Sequence, residues 1–122
     1  MRDRIVAYFR DLQDRICRGL EELDGAGRFR EDPWRREGGG GGRTRVLADG
    51  AVFEKAGVNF SEVFGEMSEE FAKQVPGGGR AFFASGVSLV LHPRNPLVPT
   101  VHANFRHLAK GAKQWLDRKS VV

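Results

Sequence analysis

Residues 81–91 (AFFASGVSLVL) and residues 101–108 (VHANFRHL) decide the fold. The first stretch is rich in aromatic and β-branched residues, which favour strands, and the second alternates apolar and polar side chains with the period of two that strands have. A loop containing Pro93, Pro96 and Pro99 separates the two stretches. We therefore expect two strands of an antiparallel sheet.

The residues before these strands indicate two helices and a hairpin. Residues 4–23 carry apolar side chains every three or four positions, which is typical of an amphipathic helix: Ile5, Phe9, Leu12, Ile16, Leu20 and Leu23. Asp49-Gly50 between apolar stretches predicts a hairpin joining residues 44–48 to residues 51–54. Ser61 is a suitable cap for a second helix over residues 62–75. This order of elements predicts an α+β fold, an antiparallel sheet flanked by helices.

Five consecutive glycines at residues 38–42 follow a charged segment that contains Trp34. They have two interpretations, a flexible linker or a loop whose bare backbone lets an anion or a flat ligand approach. Six arginines surround them and favour an alternative function, a non-enzymatic basic Gly/Arg-rich module that binds RNA or another anion: Arg28, Arg30, Arg35, Arg36, Arg43 and Arg45.

Composition sets the class of protein. The chain has 122 residues, 40% of them hydrophobic, with a formal net charge of +4 and a single cysteine, Cys17. A lone thiol makes no internal disulfide, and no apolar run approaches the roughly 20 residues of a membrane helix. We expect one small domain with a cytoplasmic location, no membrane span and a packing role for Cys17.

Strand periodicity places chemically useful side chains together. His102, Asn104 and Arg106 share one face of their strand, and Ser88 and His92 share a face of the preceding one. If the strands are neighbours, these five side chains converge, although an ordinary solvated sheet face has the same pattern.

The residue types in this set suit an anionic substrate. Arg106 offers a planar fork for a carboxylate, and Arg94 in the intervening loop is a second candidate. A histidine moves protons near neutral pH or binds a divalent metal, but two histidines ten residues apart are a weak metal signature. His107 falls on the opposite face from His102.

Residues 45–61, with RVL, Gly50 and VFEKAGVNFS, and residues 86–106, with GVSLVLHPRNP and PTVHANFR, resemble two blocks of the oxygen-dependent coproporphyrinogen III oxidases. The resemblance implies oxidative decarboxylation of coproporphyrinogen III to protoporphyrinogen IX with molecular oxygen, in haem biosynthesis. It implies a homodimeric enzyme without an organic cofactor and without a nucleic-acid partner. It also implies a broad antiparallel sheet covered by helices on both sides.

The resemblance also implies roles for individual residues. Ser88 contacts the substrate, and Asn104, Phe105 and Arg106 form a substrate-binding segment. His102 is the catalytic proton donor, and His92 and His102 are candidate ligands of a divalent metal.

The resemblance fades after residue 108. We expect residues 1–116 to be the N-terminal part of an oxidase domain, and residues 117–122 (DRKSVV) to be a non-native tail that resembles a translated sequencing adapter. The family's later catalytic segments are not recognisable here, so we expect the chain by itself to be inactive.

Overall fold

A computed structural model describes residues 2–74, 79–110 and 113–121, the last range for its backbone alone. The elements in chain order are α1 (Arg2–Asp24), β1 (Arg30–Arg35), β2 (Gly40–Ala48), β3 (Phe53–Glu66), α2 (Glu69–Gln74), β4 (Ala81–Pro93), β5 (Val101–Lys110) and β6 (Lys113–Val121). The six strands form one antiparallel sheet in sequential order. The expected α+β fold, the first helix, the hairpin at Asp49-Gly50 and the two long strands are confirmed.

Helix α1 covers one face of the sheet, and we call this the covered face and the other the open face. Phe9 and Cys17 of the helix pack against Val58, Phe60 and Val87 of the sheet, all five being buried. These strand residues lie on the covered face because they alternate with the polar residues of their strands. The apolar stripe of α1 is thus confirmed, except that Leu23 at its end is 65% exposed.

Polar contacts fix the helix on the sheet. The buried Gln13 donates from Nε2 to the carbonyl oxygens of Arg43, at 2.7 Å, and Val58, at 3.1 Å, while its Oε1 accepts from Arg43 Nε at 3.0 Å. Arg45 makes ion pairs of 2.8 Å with both Asp14 and Glu31. Two of the six arginines of the basic segment are therefore engaged on the covered face.

Asp24 joins the end of α1 to the β2–β3 turn. Its carboxylate accepts backbone hydrogen bonds from five residues at 2.7–3.2 Å: Ala26, Gly27, Ala51, Val52 and Phe53. The hydrogen bonds from Phe53 and Gly27, followed by those from Ala51 and Val52, hold the pKa of this carboxyl well below its usual range. The turn itself contains Asp49 with a positive φ of 55°, as its Asp-Gly sequence predicts.

The predicted helix over residues 62–75 is wrong for most of its length. Strand β3 continues to Glu66, which pairs with Ala81 of β4, and Ser61 lies inside the strand. Helix α2 covers only Glu69–Gln74, and Ser68 Oγ accepts its Phe71 amide at 3.2 Å. The pairing of β3 with β4 overrides the apolar spacing, and residue 75 lies outside the described residues.

The linker interpretation of the glycine run is also wrong. Residues 40–42 belong to β2, and Gly38 and Gly39 form the turn from β1 with positive φ values of 95° and 130°. A Cβ on Gly42 would lie 2.7 Å from Cζ2 of Trp34, so the indole of β1 packs where a side chain would be. The run is therefore a hairpin strand that glycine allows to pass beneath an aromatic ring.

Two further predictions concern the C-terminal tail and membrane spans. Residues 117–121 continue the backbone of β6, but their side chains and Val122 lie outside the described residues, so the non-native tail stays a prediction. Among the described residues, no helix combines the length and apolarity needed to cross a membrane.

Candidate active site

The antiparallel pairing of β4 with β5 brings the predicted polar residues together. Ser88 lies opposite Asn104, His102 opposite Val90, and Arg106 opposite Gly86. Paired residues of neighbouring strands share a face, so these side chains all lie on the open face. The convergence expected from the sequence is present in the register.

His92 lies at the end of this group. Pairing with β5 stops at Leu91, and His92 is instead opposite Lys55 of β3. It is one diagonal step from His102, a separation of about 7–8 Å in antiparallel sheets. Within the described ranges no set of three His, Cys, Asp or Glu residues is arranged to hold a metal. The described part of the chain thus offers two imidazoles of the three or four ligands that zinc sites use.

The polar row of Ser88 and Asn104 extends across two more strands. Asn59 of β3 is opposite Ser88, and Thr44 of β2 is opposite Asn59. Thr44 Oγ1 accepts from Trp34 Nε1 at 3.1 Å and donates to Asn59 Oδ1 at 2.8 Å. Asn59 was not among the predicted site residues, although its position between the apolar Val58 and Phe60 is the period-two signal that identifies an opposite face.

The rows on either side of this polar row extend the open face from β2 to β5, and the Trp34 indole lies over its corner at Gly42. On one side, Gly42, Ser61 and Gly86 run across the sheet to Arg106. On the other side the row contains Val46, Gly57, Val90 and His102. Strand spacings of about 4.8 Å and rises of about 3.4 Å per residue make this floor about 14 Å in each direction. We call these three rows, from β2 to β5, the polar floor.

Two residues that were predicted to contact the substrate, Phe105 and Arg94, have side chains directed away from the polar floor. Phe105 lies on the covered face and packs against the core beneath α1, because its neighbours Asn104 and Arg106 take the open face. Arg94 Nε donates to the Gly50 carbonyl oxygen at 2.6 Å, so this arginine is fastened to the β2–β3 turn. A substrate contact from Phe105 would have to come from its backbone.

The remaining histidine and an apolar cavity lie outside the polar floor. His107 is on the covered face, as expected, with its ring 6.5 Å from that of Phe83. Beyond Arg106 an apolar groove of about 400 Å³ lies between α2 and strands β4 and β5, with Phe71, Ala84 and Leu108 among its lining residues. The open face therefore presents a polar floor beside an apolar groove.

Similar sequences have this same combination of segments. The family model of coproporphyrinogen III oxidase matches residues 4–119. An oxygen-dependent coproporphyrinogen-III oxidase of Synechococcus sp. (strain CC9902) is 54% identical over 116 residues, covering 93% of this chain and 32% of the relative. One from Prochlorococcus marinus (strain MIT 9312) is 54% identical over 106 residues, covering 85% and 31%. The chain spans about a third of the length of these relatives.

The chain therefore belongs to the α+β class, with an antiparallel sheet that has helix α1 on one face and a polar row on the other. The match over residues 4–119 then defines it further: the chain belongs to the coproporphyrinogen III oxidase family.

Proposed function

We propose that this chain forms the substrate-binding sheet of an oxygen-dependent coproporphyrinogen III oxidase. The reaction converts two propionates of coproporphyrinogen III to vinyl groups, giving protoporphyrinogen IX. Each propionate loses its carboxylate as carbon dioxide and a hydride equivalent from the adjacent carbon, and molecular oxygen accepts the two electrons. The names of the relatives and the polar floor together support this proposal.

The main support for the proposal is that the β4–β5 register places four side chains on one open face: Ser88, Asn104, Arg106 and His102. A tetrapyrrole with four propionates needs a flat surface and cationic or donor groups near its rim. The glycines and small residues of the polar floor provide the flat surface. The side chains at its β5 edge provide the cationic and donor groups. Its width of about 14 Å suits a macrocycle better than a small metabolite.

Each of these side chains has a chemical role in the proposal. Arg106, which is exposed, binds a substrate carboxylate through its guanidinium fork. His102, also exposed, acts as the proton donor, since an imidazole exchanges protons near neutral pH. Ser88 and Asn104 contact the substrate between them. The backbone of Phe105 completes the segment.

A divalent metal, a homodimer and a cytoplasmic location accompany this proposal. His92 and His102 would contribute two imidazole ligands, and a bound cation would supply a positive charge next to a substrate carboxylate. Among the described residues no third His, Cys, Asp or Glu joins this pair. The roles proposed for Arg106, Ser88 and Asn104 do not depend on the metal, because none of the three is one of its proposed ligands. No organic cofactor enters the proposal, and molecular oxygen is the co-substrate.

The alternative of a basic RNA- or anion-binding module is less well supported. Arg43 and Arg45 are engaged with Asp14 and Glu31 on the covered face. The glycine run is part of strand β2 and is packed against Trp34. The continuous basic surface which that alternative requires is therefore divided between two faces of the sheet.

A hybrid enzyme tests the proposed function. Residues 4–110 replace the matching segment of the Synechococcus sp. (strain CC9902) relative, and protoporphyrinogen IX formation from coproporphyrinogen III is followed with and without oxygen. We expect oxygen-dependent product, and we expect Arg106→Ala to lower kcat/KM at least tenfold because a carboxylate contact is lost.

The matched control is Arg28→Ala, which removes an exposed arginine near the end of α1 whose Nη1 donates to the Gly27 carbonyl oxygen at 2.8 Å. We expect it to stay within twofold of the unmodified hybrid. A hybrid that makes no product beside an active relative, or an Arg106→Ala hybrid with full activity, would contradict the proposal.

A further inference from the structure

We infer that Asn59 is a further substrate-binding residue, that it donates to a carboxylate of the tetrapyrrole, and that Trp34 and Thr44 position its amide. This inference rests on the proposed function and deepens it. It is carried by the hydrogen-bonded chain from Trp34 through Thr44 to Asn59 on the open face.

The direction of this hydrogen-bonded chain follows from its two hydrogen bonds taken together. An indole N–H can only donate, so Thr44 Oγ1, 3.1 Å from Trp34 Nε1, is an acceptor there. The single hydroxyl hydrogen of Thr44 is then available to Asn59, whose nearer atom is Oδ1 at 2.8 Å. The Thr44 hydroxyl, which accepts from Trp34, thereby holds the Oδ1 end of the Asn59 amide toward strand β2.

The other end of the amide is consequently a donor. With Oδ1 held by Thr44, the two hydrogens of Nδ2 are on the remaining arm of the amide. Ser88 lies directly opposite Asn59 on β4, where Cβ atoms are about 5 Å apart. Across residues 2–74 and 79–110, Asn59 Nδ2, the Ser88 hydroxyl and the Asn104 amide have no hydrogen-bond partner, and none of them is a buried unsatisfied group. They are therefore accessible to a ligand on the polar floor.

The surroundings select a carboxylate as the group that Asn59 binds. The three rows of the polar floor, from β2 to β5, contain no Asp or Glu; Asp32, opposite Thr44, and Asp117, opposite Arg106, lie on the flanking strands β1 and β6. Arg106 is in the adjacent row, about 7 Å along the strand direction. A donor amide that is held by Thr44, with a guanidinium in the next row and no acidic residue on the strands next to it, favours an anionic oxygen over a neutral one.

Binding of coproporphyrin III, the stable oxidised tetracarboxylate, to the 122-residue chain tests the inference. Asn59→Asp keeps an acceptor for Thr44 but replaces the donor with a negative charge, so we expect at least tenfold weaker binding. Affinity for the tetramethyl ester, which has no carboxylate, should stay within twofold, and a merely structural defect would weaken both ligands.

Two variants of Thr44 test the positioning role while leaving Asn59 in place. Thr44→Val keeps the shape but removes the hydroxyl, so the amide is released and we expect three- to tenfold weaker binding. Thr44→Ser retains the hydroxyl and should restore the affinity. The control for charge is Asn95→Asp in the β4–β5 loop, where Oδ1 accepts the Leu97 amide at 2.9 Å, and it should bind as the unmodified chain does.

The outcomes separate this inference from the proposed function. If the unmodified chain binds coproporphyrin III and both Asn59→Asp and Thr44→Val bind it equally well, the role of Asn59 is refuted while the proposed function stands. Loss of ester binding in Asn59→Asp together with unchanged binding in Thr44→Val would also refute it. If the unmodified chain binds neither tetrapyrrole, the proposed function fails and the inference fails with it.

Discussion

At the scale of single residues, Asp24 shows how one side chain can join two distant parts of the sequence. It ends α1, and its carboxylate accepts amide hydrogens from the segment that follows and from residues 51–53 of the β2–β3 turn. A Cβ added at Gly50 would collide with this carboxylate, so the turn needs glycine there. The helix is thereby held in register with the strands that carry Thr44 and Asn59.

Replacing Asp24 with Asn should lower the melting temperature at pH 7, because an amide NH₂ would face backbone N–H donors. The folded pKa of Asp24 lies below its unfolded value of about 3.9. Its stabilisation is therefore present above that unfolded value and is lost as the pH falls toward the folded pKa. Thermal unfolding of both proteins from pH 7 to pH 3 should show the difference between them shrinking below about pH 4.

Asp11→Asn is the matched control for this prediction. Asp11 makes an exposed ion pair of 2.9 Å with Arg15 on α1, and exposed pairs of this kind contribute little. An Asp24→Asn protein as stable at pH 7 as the Asp11→Asn protein would contradict the role assigned to Asp24.

At the scale of elements, the sequence predicted those strands whose side chains alternate or are β-branched, and it predicted α1 from its stripe. It missed the strand character of residues 62–66 because Val63, Phe64 and Met67 also fit a helical spacing. Only the long-range pairing of residues 62–66 with residues 81–85 of β4 decides between the two structures. The glycine strand was missed for a similar reason, since its stability depends on Trp34, a residue of another strand.

The residues of the candidate site also differ in whether local sequence or long-range strand pairing determines their position. Ser88, His102, Asn104 and Arg106 could be placed on one face from strand periodicity and the family resemblance. Asn59 and Thr44 could not be joined to them from local sequence, because their position in the row depends on the register of β2, β3 and β4. The actual direction of Arg94 depends in the same way on the Gly50 carbonyl, 44 residues away.

The glycine strand gives a test at this scale. Gly42→Ala places a methyl group against Trp34 and the Phe60 carbonyl, and such overpacking costs about 1–3 kcal/mol. Gly57→Ala is the control in the neighbouring strand, where an added Cβ would meet nothing within 4 Å. Urea unfolding should show a clear loss for Gly42→Ala and a smaller change for Gly57→Ala. Equal effects would contradict the packing described for Trp34.

At the scale of the whole molecule, helix α1 and the candidate site occupy opposite faces of the sheet. The covered face holds the core, with Phe60, Val58 and Val87 fully buried, and the open face has the polar floor. Because strand residues alternate between the faces, each strand of the centre serves both purposes. This division explains how a segment with about a third of the length of the related oxidases can contain both a buried core and a polar row.

The central claim is that the open face binds the tetrapyrrole, and mapping amide chemical shifts of the 122-residue chain tests it most directly. On addition of coproporphyrin III we expect the largest shifts at Asn59, Ser88, Asn104 and Arg106, and small shifts along α1. Largest shifts on α1 or around the exposed Arg28, with none on the open face, would contradict the account.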